Sequence, residues 1–260
     1  MVNVLDIALY DKDIKSSIDI LLTEISSHNK LNRCISATGA HGIIYAKKNE
    51  AFKSILNQFY FNLPDGMPGV WIGKLKGAKQ MKRCYGPNFF KDLMLTSANK
   101  PVKHFLCGGK EGVAHELKQQ CGAKFNNYNI VGTFCPPFRK MSYEELTELA
   151  QQINSSGADV VWIGLSTPRQ EQFAWQLKQY TNVHFIITVG AAFDFHTDRL
   201  KQTPSWMQRM GMEWFYRLIS EPDRLYKRYL EIVPLFIYYN LVEFISFPFS
   251  KISKTNQIKN

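Results

Sequence analysis

The sequence predicts an α/β protein: a Rossmann-like, mostly parallel sheet with helices on both faces, followed by a C-terminal helical appendage. Three observations carry this. Short apolar runs that end in a small or polar turn alternate with helical patterns along most of the 260 residues. Glycine recurs in the turns behind those runs, as a tight strand-to-helix connection requires. From about Pro204 the strand pattern stops, and only apolar residues at three-to-four spacing continue.

Taken in order, residues 1–30 interleave charges with apolar positions and lack the basic start and unbroken apolar core of a signal peptide. Asp11-Lys12-Asp13 has the form of a metal-holding D-x-D. It precedes an amphipathic helix rather than following a core strand, so it reads as a helix cap and no metal is assigned. Strands are expected at 34–37, 59–63, 104–107, 130–132, 160–164 and 185–189. Helices between them include 142–155, where Ser142 and Glu145 have capping-box spacing, and 168–180, with Pro168 in the first turn. Past residue 199, Met207, Met210, Trp214, Leu218, Leu225, Tyr229 and Ile232 mark the appendage. The expected division is therefore a catalytic α/β domain over 1–198 and a helical appendage over 199–260 that completes the site and docks on a membrane.

The chain carries a net charge of +10, with 45% apolar and 13% aromatic residues. The excess is local: residues 74–110 hold 9 basic and 1 acidic side chains, residues 199–260 hold 10 and 5, and the middle is mildly acidic. Such blocks imply an anionic partner, be it nucleic acid, a phosphorylated small molecule or a membrane surface. Lys76, Lys79, Lys82 and Arg83 are spaced so that most share one helix face, either solvated or a landing site for phosphates or anionic lipid. Five cysteines, none closer than 14 residues to the next, argue against a disulfide framework or a zinc site and for a reducing cytoplasm. Residues 230–249 are mostly apolar. Glu231, Glu243, Pro234 and Pro248 make them a poor spanning helix, so they are expected to lie on a surface, protein or lipid.

In an open parallel sheet, ligands bind beyond the carboxyl ends of the strands. The residues there are Thr38-Gly39, Asp65-Gly66, Gly108-Gly109, Gly132-Thr133, Gly164-Leu165 and Gly190-Ala191. Asp65, between an apolar strand and a Gly/Pro-rich loop, is either a plain turn residue or a general base. The stretch HFLCGGKEG (104–112) departs from the dinucleotide fingerprint, and no acid stands about twenty residues later, so it reads as a backbone-lined turn that can face a nucleotide rather than as a classical NAD site. Gln170 and Glu171 open a helix behind a strand, where an amide and a carboxylate suit sugar hydroxyls. Glu171 alone also fits a helix N-terminus. Arg217, Arg224, Lys227 and Arg228 lie among aromatic residues, a pattern that suits diphosphate recognition, an interfacial helix, or both.

Together these motifs resemble the WecG/TagA/CpsF family of bacterial glycosyltransferases. The resemblance runs through TGAHG (38–42), PDGMPGVW (64–71), YGPNFF (85–90), FLCGGKEGVA (105–114), VGTFCPPF (131–138) and WIGLSTPRQE (162–171). It continues through VGAAFDFHTDRLKQTPSWMQRMGMEW (189–214) and YRLISEPDRLYKRYL (216–230). It implies an inverting, UDP-sugar-dependent hexosyltransferase that acts on a polyprenyl-diphosphate-linked saccharide, peripheral on the cytoplasmic face of the membrane. The family's base matches Asp65, its active-site threonine Thr38, and the glutamine of its P-[KR]-Q-E motif Gln170. Its appendage arginines match Arg217 and Arg224, with Lys227 and Arg228 in the basic cluster that follows.

Many members have a T-x-N-A turn where this chain has Thr38-Gly39-Ala40-His41-Gly42, so donor choice is not carried over from N-acetylmannosamine enzymes. His41 becomes a candidate contact. Expected partners are the UDP-sugar, the lipid-linked acceptor and an anionic membrane surface, without nucleic acid or a dedicated metal; self-association is left open. The competing readings are a basic nucleic-acid-binding module and a nucleotide-sugar-modifying enzyme, the second of which lacks its dinucleotide fingerprint.

Overall fold

The computed structural model describes residues 1–27 and 29–255, without the side chains of Ser205, Arg209, Arg224 and residues 247–255. The chain opens with a hairpin, β1 (Val2–Val4) and β2 (Ile7–Leu9), then α1 (Ile14–Ile25) and β3 (Arg33–Thr38). Next come α2 (Ala40–Lys48), α3 (Glu50–Asn57), β4 (Phe61–Pro64), α4 (Met67–Leu75), α5 (Gly86–Ser97) and β5 (His104–Gly108). They are followed by α6 (Val113–Phe125), β6 (Ile130–Phe134), α7 (Tyr143–Ser156), β7 (Val160–Gly164), α8 (Arg169–Leu177), β8 (Phe185–Thr188) and α9 (Ala192–His196). The appendage is α10 (Ser205–Arg209), α11 (Glu213–Ser220) and α12 (Pro222–Thr255).

The eight strands form one sheet in the order β1-β2-β4-β3-β8-β7-β5-β6, parallel throughout except for the first hairpin. Each of the six expected strands is present within two residues of its expected ends. The central strands are continuous apolar runs because both faces of a parallel sheet are covered. In β7, Val160 and Trp162 enter one buried cluster, while Val161 and Ile163 enter another on the opposite face. The first cluster is closed by α1, α5 and α6, the second by α7 and α8.

Local chemistry sets the helix starts. Asp13 accepts from the Ser16 N–H at 3.0 Å and caps α1, as its position predicted, and it also pairs with Lys82. Ser142 and Glu145 form the expected capping box of α7. Pro168 stands one place earlier than expected, as the cap of α8.

Two expectations are corrected. The basic block is not a helix face: α4 ends at Leu75, and residues 76–85 run as turns and extended chain. Its members diverge, with Lys76 paired to Glu243, Lys82 to Asp13 and Arg83 directed to the end of β4. The hairpin β1–β2 was not expected, because strands of three residues leave too little alternation to read.

Among the described residues of the appendage the regular elements are all helices, and α12 runs on through Pro234 and Pro248. Ile232 and Phe236 are buried in a third cluster with Ile43 and Ile44 of α2 and with the hairpin. Lys48 with Glu231 and Lys76 with Glu243 tie the same face to the sheet domain.

Candidate active site

Strand order reverses between β3 and β8. From β3 the chain moves outward to β4, and into β8 it arrives from β7 on the other side. A crevice opens at such a point, beyond the carboxyl ends of the strands. Thr38, Asp65 and Gly190 end β3, β4 and β8, and the YGPNFF turn that starts α5 sits over them. A Cβ built on Gly86 would stand 2.7 Å from the Val189 carbonyl oxygen and 3.3 Å from the Ala37 Cβ, so only glycine fits there.

Asp65 is the half-buried centre of this arrangement. Its backbone N–H donates to the Thr38 carbonyl at 3.2 Å, which joins the ends of the two strands. Its Oδ1 accepts from the Gly86 N–H at 2.7 Å, and its carbonyl accepts from Arg83 Nε at 2.6 Å. Burial pushes the carboxyl above the ordinary aspartate value; the Arg83 charge and the Gly86 N–H pull it back, Glu213 adds to the rise and Arg217 opposes it. The Arg83 guanidinium also lies 4.1 Å over the Tyr85 ring and is ion-paired with Glu213 of α11. Arg83 and Glu213 therefore join the appendage to the strand end that bears Asp65.

Arg217, one turn beyond Glu213, sits among Tyr85, Tyr229, Glu213 and Glu221, 3.8 Å from the last. Its buried Nε donates to nothing among the described residues. A guanidinium with a free N–H beside a carboxylate at a strand end is equipped to receive an anionic oxygen.

The other sequence-picked residues fall as follows. Thr38 is buried, with its hydroxyl 3.4 Å from Asn62 Oδ1. Gly39 caps α2, and a Cβ there would lie 3.7 Å from Asp65 Oδ2. His41 is placed at the seam between α2 and α12. Burial lowers its pKa to about 4, the Arg228 charge acts in the same direction, and Glu231 opposes both.

Gly108, Gly109 and Gly132 all have packing reasons. A Cβ on Gly108 would meet the Gly164 backbone at 2.6 Å, the Gly109 N–H donates to the Gly164 carbonyl at 2.9 Å, and Gly132 lies against the Phe105 ring. Gln170 and Glu171, 2% and 1% exposed, bond within the protein, except that Glu171 Oε2 has no partner among the described residues. Gln170 Oε1 accepts from the Gly190 N–H at 3.0 Å, and its Nε2 donates to Glu171 Oε1 at 2.8 Å. Lys227 is exposed and Arg228 half-buried on α12; the Arg224 side chain is outside the described residues.

Sequence reasoning missed Arg83 and Gly86 as parts of the site, and Glu213 altogether. The available signal was YGPNFF, where a Gly-Pro pair opens a helix three residues after an arginine.

A strand-end carboxylate set among arginines, one of them delivered by a C-terminal helix, is the apparatus of a group-transfer enzyme. It can take a proton from an attacking hydroxyl while cations receive a departing anion. The matching family model is that of the glycosyl transferase WecG/TagA/CpsF family, over residues 2–248, and the chain belongs to this family. It is also 28% identical over 222 residues to the N-acetylglucosaminyldiphosphoundecaprenol N-acetyl-beta-D-mannosaminyltransferase of Bacillus subtilis (strain 168), an alignment that covers 84% of each chain. The protein is a glycosyltransferase, and the nucleic-acid-module and nucleotide-sugar-modifying readings give way to that.

Proposed function

We propose that the protein moves a sugar from a UDP-sugar to a saccharide carried on polyprenyl diphosphate, with inversion, for bacterial cell-surface polysaccharide synthesis. The Bacillus subtilis relative is named for an acceptor of this kind, an N-acetylglucosaminyl diphosphoundecaprenol. The observation that carries the reading is Asp65, whose Oδ1 is tied by Gly86 at 2.7 Å while a Cβ on Gly39 would still leave 3.7 Å to Oδ2. One oxygen is held by the Gly86 N–H; the other lies toward Gly39 at the start of α2.

Asp65 removes the proton from an acceptor hydroxyl as that oxygen attacks the anomeric carbon, in line with the departing UDP. Developing charge on the diphosphate is met by Arg217 and the basic residues after it, Arg224, Lys227 and Arg228. Thr38 and Gly39 border the sugar, and Gln170 holds the Gly190 turn on the opposite wall.

The reading places the protein on the cytoplasmic face of the membrane, and α12 supports attachment to a lipid surface. Leu225–Ser246 is long and apolar enough to cross a membrane by length and composition, yet one face is buried on the protein through Ile232 and Phe236. The outer face leaves Leu230, Ile237, Leu241 and Ile245 between 54% and 66% exposed. A helix with one side on protein and an apolar side outward fits a lipid surface.

The test is a panel of UDP-sugars incubated with a lipid-diphosphate saccharide, scored for UDP release and product mass. Acceptor-dependent release with one donor is expected, and TGAHG in place of T-x-N-A makes the donor the open variable. Absence of acceptor-dependent release across the panel would defeat the reading.

A further inference from the structure

We infer that Glu171 is a positioning residue that holds the Asp65 carboxylate in place through Gln170, the Val189–Gly190 peptide and Gly86. The inference rests on the reading of Asp65 as the base, and it begins from an anomaly. Glu171 is 1% exposed, its Oε2 has no hydrogen-bond partner, and no cation pairs with it among the described residues. Leaving such an oxygen bare costs roughly 1–3 kcal/mol, so the carboxyl is not explained by stability. Its other oxygen is saturated: Oε1 accepts from Ser36 Oγ at 3.1 Å, Thr167 Oγ1 at 2.9 Å and Gln170 Nε2 at 2.8 Å.

The Gln170 contact settles which way the neighbouring amide points. With Nε2 committed to Glu171, Gln170 Oε1 is turned to accept from the Gly190 N–H at 3.0 Å. That N–H and the Val189 carbonyl belong to one planar peptide unit. The carbonyl end of the plane abuts Gly86, where even a Cβ would approach to 2.7 Å. Gly86 in turn donates to Asp65 Oδ1. Gln170 thus pins one end of a peptide plane whose other end is wedged against the donor that orients the base. Without Glu171 the amide keeps only Thr167 Oγ1, at 3.3 Å, as a partner for Nε2, and the peptide plane is otherwise held only by the Ala192 N–H on the Val189 carbonyl, also at 3.3 Å, so the plane can tilt and Gly86 shift away from Asp65. Displacements on the order of 1 Å at a reacting group cost about 100-fold in rate.

The experiment compares Glu171→Gln and Glu171→Leu in the full-length protein by steady-state kinetics and by the amide proton resonance of Gly86. Glutamine keeps an acceptor at Oε1 and places its NH2 where Oε2 stands bare, so turnover within about threefold of wild type is expected. Leucine should lower kcat by roughly 10- to 100-fold with donor KM within twofold, and move the Gly86 resonance upfield as its hydrogen bond to Asp65 lengthens. Near-normal kcat in Glu171→Leu, an unmoved Gly86 resonance, or equal damage from glutamine would each overturn the inference. If the leucine variant does not fold, Gln170→Leu, which removes the amide between Glu171 and the Gly190 N–H, must move the Gly86 resonance in the same direction; an unmoved resonance there also overturns it. Asp65→Asn is assayed in parallel. Full turnover in that variant would sink the base reading, while the Gly86 resonance still decides whether Glu171 governs this contact.

Discussion

Opposing forces act on the Asp65 carboxyl, which we propose as the base. Burial raises the carboxyl and Glu213 adds to the rise; the Arg83 charge, the Gly86 N–H and Arg217 oppose it. The balance still lies above the ordinary aspartate value, and the sign of the pH dependence follows. Since the base works deprotonated, activity should fall as pH drops through this raised pKa. The acidic limb of kcat/KM should therefore sit at higher pH than a free carboxyl gives, and a limb at or below the free-carboxyl value would contradict the balance. Asp65 was legible in the sequence because an Asp-Gly turn behind an apolar run falls at a strand end in this fold class. Its partners were not. Arg83 and Glu213 meet across 130 residues, and neither has a local pattern that announces the other. Gln170 and Glu171 were found by position, yet their buried partners, Ser36 and Gly190, come from two other strand ends that only the assembled sheet brings near.

Among the elements, the start of α5 bears most directly on the site, because it supplies a backbone donor rather than a side chain. Gly86→Ala would force its Cβ onto the Val189 carbonyl, backbone that has no rotamer to escape into. The expected result is a loss of about 1–3 kcal/mol of stability, read by denaturant unfolding, with a fall in turnover beyond what the unfolded fraction explains. Unchanged stability and rate would mean the contact is looser than described. The six core strands were readable because burial on both faces forces continuous apolar runs. The hairpin was not, since its turn places Leu5 and Asp6 at φ of 50° and 68° without the Asn-Gly or Gly residues that normally mark such a turn. The basic block misled for a related reason: three-to-four spacing of lysines mimics a helix face even where Gly77 and the chain after it have left the helix.

At the scale of the molecule, the two regions of positive charge serve different geometries. The earlier block is dispersed into ties that reach α1, α12 and the Asp65 strand end, while Arg217, Lys227 and Arg228 of the later one stand on α11 and α12. The helical character of residues 207–232 was evident from spacing, but the run of α12 beyond them and the face it turns to protein were not, because apolar residues occur around most of its circumference. Two of the outward residues offer a test of docking that spares the core. Ile237→Glu with Leu241→Glu should abolish co-sedimentation with anionic vesicles while leaving the thermal midpoint close to wild type; retained binding would place the lipid contact elsewhere. The central claim is that Asp65 takes the acceptor proton, with Gly86 aiming the carboxylate and Arg217 receiving the diphosphate. It is tested most directly by acceptor-dependent UDP release from Asp65→Asn, once circular dichroism shows the variant folded. A loss of roughly 100- to 10,000-fold in kcat, with donor binding retained, is the predicted result; turnover within a few-fold of wild type would contradict the account.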